Sequence, residues 1–177
     1  MDMVKILGVV FVLAACSMIG VAAGERQKEH INVLMSLKRC LLTVKGEIAY
    51  AYTPLSEIFT ILSEMGSECW SVFFAQVLDE LADKSQEDMS NLSQIWEKVC
   101  RDSDVCSNMS HEELDELVRF GSMLGTSDRD SQISRIELFI DNINDRIHYL
   151  QKHIYEKVRL CRVLGVTAGL LITILIV

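Results

Sequence analysis

The sequence predicts an all-α fold: a cytoplasmic bundle of about six helices, two of them long, antiparallel and continuous with apolar terminal segments. Three observations carry this. Apolar residues recur at alternating steps of three and four over the long segments of the chain, the period of a helix face. A single proline and 7% aromatic residues leave too few turn signals and β-formers for a β-sandwich. A mean hydropathy of +0.24 beside 24% charged residues implies that apolar and charged residues are pooled in separate stretches. With half of its 177 residues hydrophobic, the chain is not disordered, and a net charge of −8 makes nucleic acid an unsuitable partner.

The pooling is visible at both ends. Ile6 to Ala23 is an uncharged run of 18 residues, long enough to span roughly 27 Å as a helix. Val163 to Val177 is uncharged for 15 residues, which covers roughly 22 Å unless Leu160, Cys161 and a snorkelling Arg162 contribute. The expected division is therefore a membrane helix in residues 1–23, a helical bundle in 24–162 and a second membrane helix in 163–177. Arg26, Lys28, Lys38 and Arg39 follow the first segment, and Lys152, Lys157, Arg159 and Arg162 precede the second. By the positive-inside rule the bundle is cytoplasmic. A different reading of the N-terminus stays open. Leu13-Ala14-Ala15-Cys16 has the small-residue pattern of a lipoprotein signal, which would acylate Cys16 and place the helical domain outside; cleavage near Val21-Ala22-Ala23 is the other processed form.

Each helix has its own signal. Leu34, Leu37, Leu41, Val44 and Ile48 form an apolar seam on the first long helix, which runs from Glu25 to about Ala51. Thr53-Pro54 offers an N-cap followed by proline at the first helical position, before Leu55, Ile58, Phe59 and Leu62. Ser67 is a candidate cap for a helix with Trp70, Phe73, Val77, Leu78 and Leu81 inward, and the polar stretch from Asp83 to Ser90 reads as a loop. Leu92, Ile95, Trp96 and Val99 mark a further helix, ending near Asp102 to Asn108. Ser110-His111-Glu112-Glu113 is a capping box for the helix of Leu114, Leu117, Val118 and Leu124. Gly125 is a plausible stop, and Ser127 or Asp128 starts the last helix, whose seam is Ile133, Ile136, Ile140, Ile143, Ile147, Leu150 and Ile154. The two long helices either pair as an antiparallel stalk or face separate core surfaces.

Motifs for chemistry are missing from the sequence. There is no phosphate-binding GxxxxGK[ST], no GxGxxG and no GxSxG. His148 and His153 are five apart, the wrong spacing for one helix face, and His111 belongs to a capping box. The six cysteines form no CxxC and read as reduced, packed thiols. The expectation is a protein that is not an enzyme and holds no cofactor or metal. Charge placement says more. Glu57 to Glu116 holds fifteen acidic residues against three basic ones, a net of −12, whereas Arg26–Lys45 and Arg146–Arg162 each hold five basic residues against one acid. The basic stretches suit anionic membrane lipid, and the acidic stretch is either a solvated face or a docking surface for a basic partner. Glu112, Glu113, Asp115 and Glu116 are its densest cluster.

Two internal segments and the C-terminus also carry a family resemblance. Gly46-Glu47-Ile48-Ala49-Tyr50-Ala51-Tyr52-Thr53-Pro54-Leu55 resembles the "EI.Y..TPL" signature of stage III sporulation protein AB. Phe120-Gly121-Ser122-Met123-Leu124-Gly125-Thr126-Ser127-Asp128-Arg129, with Gln132 beyond it, resembles that family's "FG..LG..D...Q" signature. Leu164 to Leu171 is similar to its C-terminal anchor, and the order of the three agrees over essentially the full chain. The resemblance implies a component of the sporulation channel between mother cell and forespore, similar in fold to the cytoplasmic domains of type II secretion and type IV pilus platform proteins. It further implies a mother-cell membrane location, a cytoplasmic ATPase and ring proteins as partners, and leaves self-association open. For the signature residues, Thr53-Pro54 is expected to end the first long helix. Phe120, Leu124, Gly121 and Gly125 are expected to let the chain turn before the return helix, glycine tolerating both positive φ and close backbone approach. Glu47 and Tyr50 lie off the seam of Val44 and Ile48, so they either tie the turn down or face a partner.

Overall fold

The computed structural model describes residues 25, 27–51, 53–65, 68–83, 91–124 and 128–176, with the side chains of the last helix described as far as residue 153. Every regular element among the described residues is helical. We label them α1 (27–46, running into a π-helical turn at Glu47–Ala51), α2 (Leu55–Met65), α3 (Glu68–Asp83), α4 (Leu92–Asp102), α5 (Asp104–Ser107), α6 (His111–Met123) and α7 (Arg129–Ile176). The expected membrane helix of residues 1–23 lies outside the described residues. That of 163–177 falls where α7 is described by its backbone alone, helical to Ile176. Among the described residues no helix is long and apolar enough to cross a membrane. Ser67, Gly125 and residues 84–90 of the expected loop also lie outside.

The chain divides into two compact units, one of Asn32–Arg146 and one of Met1–Ile31 with Ile147–Val177. The larger unit holds the bundle, and its core follows the apolar spacing. Leu34, Leu37, Leu41, Val44 and Ile48 of α1 are all buried, as are Ile136, Ile140 and Ile143 of α7, while Ile133 is half-buried. Ile58, Phe59 and Leu62 of α2, Trp70, Phe73 and Val77 of α3, and Leu92, Ile95, Trp96 and Val99 of α4 are buried in turn. Leu78, Leu81, Leu114 and Val118, also expected inside, are only half-buried.

A chain of rings joins the layers. Phe59 stacks on Phe74 at 5.7 Å, Phe73 meets Trp96 edge to face at 5.1 Å, Trp96 meets Phe120 at 6.2 Å, and Phe120 stacks on Phe139 at 5.0 Å. These contacts tie α2, α3, α4, α6 and α7 to one another, in the offset and edge-on geometries that aromatic quadrupoles favour. Both buried indoles find acceptors: Trp70 Nε1 donates to the Val33 carbonyl at 3.2 Å and Trp96 Nε1 to the Leu117 carbonyl at 2.9 Å. Buried N–H groups left without such partners would each cost about 1–3 kcal/mol.

Two contacts set the relation of α1 to α7. Arg129 Nε donates to the Ile48 carbonyl at 2.9 Å, and Lys45 pairs with Glu137 at 2.6 Å. Stepping back along α1 corresponds to stepping forward along α7, the sense of an antiparallel pair.

Candidate functional site

The two signature segments meet at one corner of the bundle. The π-helical turn at Glu47–Ala51 leaves main-chain carbonyls without helical partners, and the Ile48 carbonyl is taken by Arg129 from the start of α7. Thr53 Oγ1 donates to Glu47 Oε2 at 2.6 Å, so Glu47 ties the turn down. The Thr53 hydroxyl is thus engaged with Glu47, not with the N-terminus of α2 as expected. Helix α2 begins at Leu55, with the Pro54 carbonyl accepting from the amides of Glu57 and Ile58, both at 3.0 Å. Tyr50 is 88% exposed. The pair that sequence left undivided therefore separates into a buttress, Glu47, and a displayed ring, Tyr50.

The second signature is divided in the same way. Phe120 and Leu124 are buried, and the Leu124 amide donates to the Gly121 carbonyl at 3.2 Å as α6 ends. Gly121 is not the turn residue expected. It sits inside α6, where a Cβ would fall 1.9 Å from Cδ1 and 2.1 Å from Cγ of Trp96. Its missing side chain is what lets α6 close on the indole. Asp128 caps α7: its Oδ2 accepts from the Ser131 amide at 3.2 Å and its carbonyl from the Gln132 amide at 3.0 Å. Hydrogen bonds from the Ser131 hydroxyl and then its amide hold the Asp128 carboxyl below its usual range. Gly125 lies outside the described residues, and Gln132 is half-buried on the first turn of α7.

The acidic cluster of α6 is likewise not uniform. Ser110 and Glu113 form the expected capping box, Glu113 N donating to Ser110 Oγ at 3.3 Å and Ser110 N to Glu113 Oε2 at 2.7 Å. The other Glu113 oxygen accepts from Arg146 Nε at 2.8 Å, and the residue is buried. Its carboxylate is committed to the fold. Glu112 and Asp115 are exposed and Glu116 half-buried. Sequence reading missed a neighbouring feature, a groove of about 460 Å³ lined by Gln76, Asp79, Glu80, Lys98, Val99 and Asp102. Lys98 pairs there with Glu80. Arg101, on α4 beside it, is bonded to Glu97, and that bond and the nearby Asp115 hold its guanidinium pKa up. The signal was the helical spacing of Gln76, Asp79 and Glu80 against Lys98 and Asp102, legible only once α3 and α4 were known to be neighbours.

None of the described cysteines is in a disulfide; Cys40, Cys100 and Cys106 are buried and Cys69 half-buried. Burial, with Cys69 nearby, pushes the Cys40 thiol up to about 11. Cys100 and Cys106 share a hydrogen bond that raises the former and lowers the latter. Cys16 and the side chain of Cys161 lie outside the described residues. Among the described residues no cluster of His, Cys, Asp and Glu is placed to hold a metal ion.

An all-helical bundle stitched together at the corner where its two signature segments meet is a class of architecture that comparison makes specific. The family model described as stage III sporulation protein AB matches residues 5–177. The chain belongs to the stage III sporulation protein AB family. A relative, stage III sporulation protein AB of Bacillus subtilis (strain 168), is 25% identical over 174 residues, which is 98% of this chain and 99% of the relative. A solved structure of stage III sporulation protein AB (SpoIIIAB) superposes with a TM-score of 0.60 at 23% identity, over 72% of this chain and 97% of that one. At that identity the likeness is one of fold.

Proposed function

We propose that this stage III sporulation protein is a non-catalytic membrane scaffold of the channel between mother cell and forespore, docking a cytoplasmic ATPase and ring components. The observation that carries the docking role is the division of charge along the chain, −12 between Glu57 and Glu116 against basic stretches on both flanks. Within that acidic span Glu112, Asp115 and Glu116 lie on α6 away from its buried face, beside the acid-lined groove of α3 and α4. Acidic residues that do not serve the core are available to steer and orient a basic partner. The uncharged sequences of residues 6–23 and 163–177 support anchoring at both ends, with basic flanks on anionic lipid. The fold similarity to secretion and pilus platforms that the family resemblance implies is consistent with the same reading.

The test is crosslinked pull-down of the full-length chain from sporulating cells. A secretion-type ATPase or a ring component is expected in the wild-type capture. The triple variant Glu112→Lys, Asp115→Lys, Glu116→Lys should lose it by about tenfold or more, with thermal melting unchanged. Undiminished capture would remove α6 from the docking surface. Recovery of neither partner class by the wild type would argue against the platform reading and favour the form acylated at Cys16.

A further inference from the structure

The outer side of the α1–α7 pair carries exposed apolar groups that the bundle does not use. Leu42 of α1 is 47% exposed and Leu138 of α7 is 63% exposed, while the opposite faces of both helices are buried against the core. They flank the Lys45–Glu137 ion pair, whose own groups are half-exposed. The hydrogen bond to Glu137, then the charges of Glu137 and Asp141, hold the Lys45 ammonium's pKa up, and Asp141, one turn after Glu137 and exposed, lies on the same outer patch. Moving from this pair towards residue 32, α1 presents Leu42 and then Arg39; moving from it towards residue 146, α7 presents Leu138, Asp141 and Asp145, all exposed. At matching heights the two helices therefore offer apolar beside apolar and, a turn or two further on, cation beside anion.

We propose that this face is an isologous interface with a second copy of the chain, related by a two-fold axis parallel to α1 and α7. Such an axis preserves height along the helices and exchanges their sides. It lays α1 of one protomer over α7 of its partner. Leu42 then meets the level of Leu138, and Arg39 the level of Asp141 and Asp145, twice over by symmetry. Self-complementarity is what selects a second copy as the occupant: the cation and the anions it needs lie on the same face. The same axis brings residues 32 and 146 of both protomers to one end of the dimer. The interface does not depend on the docking reading of α6, which uses other residues.

The experiment is light scattering behind size exclusion on the full-length chain in mild detergent, over a concentration series. A protein mass twice that of one chain is expected. Leu42→Glu or Leu138→Glu should raise the dimer dissociation constant by about tenfold or more, since each burial is counted twice. Arg39→Asp should weaken the dimer, and adding Asp141→Arg and Asp145→Arg should restore it. These positions are exposed, so far-UV circular dichroism, and melting at concentrations where wild type and variant are both monomeric, should agree, which separates loss of the interface from loss of the fold. A monomer at all concentrations, or a dimer indifferent to both glutamate variants, would overturn the proposal. A monomeric chain whose Leu42→Glu variant loses partner capture in cells would assign the face to a different protein and overturn it equally. The α6 triple variant should remain dimeric, so the two readings fail separately.

Discussion

Gly121 shows how much a single absent side chain can hold. Trp96 lies across α6 with its Nε1 bonded to the Leu117 carbonyl, one turn before Gly121, and a Cβ at Gly121 would lie 1.9–2.2 Å from three atoms of the indole. The ring cannot yield, since Phe73 and Phe120 pack against it at 5.1 Å and 6.2 Å. In an isolated helix Gly→Ala is worth about 1 kcal/mol in favour of alanine. Here overpacking costs about 3 kcal/mol, so Gly121→Ala is expected to destabilise the bundle by a net ~2 kcal/mol in urea unfolding. Gly46 is the matched control, with nothing within 4 Å of its would-be Cβ. Gly46→Ala should instead stabilise by about 0.5–1 kcal/mol. Equal effects of the two substitutions would mean that contact with Trp96 is not what Gly121 serves.

Among the elements, α7 starts at a titrating cap whose pKa is shifted. Asp128 accepts from the Ser131 amide and its pKa is lowered from the ordinary value of 3.8. With the folded-state pKa depressed, the unfolded chain binds more protons in the acid range. The cap's contribution is complete above the ordinary value and is lost as pH falls through the lower, folded one. Asparagine caps as well but does not titrate there. The melting-temperature gap between the wild type and Asp128→Asn should therefore shrink between about pH 5 and about pH 3, a small change for so exposed a group. A constant gap would show that the carboxylate's charge plays no part. Caps of this local kind were legible in the sequence, because Ser110 with Glu113, or Asp128 with the start of α7, are neighbours along the chain. The buried seams of α1 and α7 were legible for the same reason, their spacing being set by the helix itself. What was not legible depends on partners distant in sequence. Thr53 read as an N-cap until Glu47 was found as its acceptor, Gly121 read as part of the turn until Trp96 was found beside it, and Glu113, legible as a cap, was also counted in the acidic docking cluster until Arg146 closed on it.

For the whole molecule the proposed scaffold role turns on the side of a membrane on which the bundle would lie, because on that proposal the acidic face and its ATPase partner must share it. The native cysteines make poor reporters: Cys40, Cys100 and Cys106 are buried and Cys69 half-buried, so their silence towards a thiol reagent would reflect packing on either side. Val72 of α3 is a better position. It is 56% exposed, and Trp70, Phe73 and Val77 fill the buried face of the same helix, so a cysteine there meets solvent without disturbing the core. On the proposed membrane reading, the basic flanks of both apolar termini predict a cytoplasmic bundle. In intact cells, Val72→Cys should add no labelling by a membrane-impermeant maleimide over the parent chain, and should label fully once the membrane is permeabilised. The permeabilised sample shows that the introduced thiol is reactive, so a negative in intact cells then reports sidedness alone. Labelling in intact cells would put the bundle outside and transfer the acidic face to an extracytoplasmic partner. Cys16→Ser would then test acylation as the means of anchoring: release of the chain from the membrane would establish the lipoprotein form, and retention would leave the apolar terminal sequences to hold it.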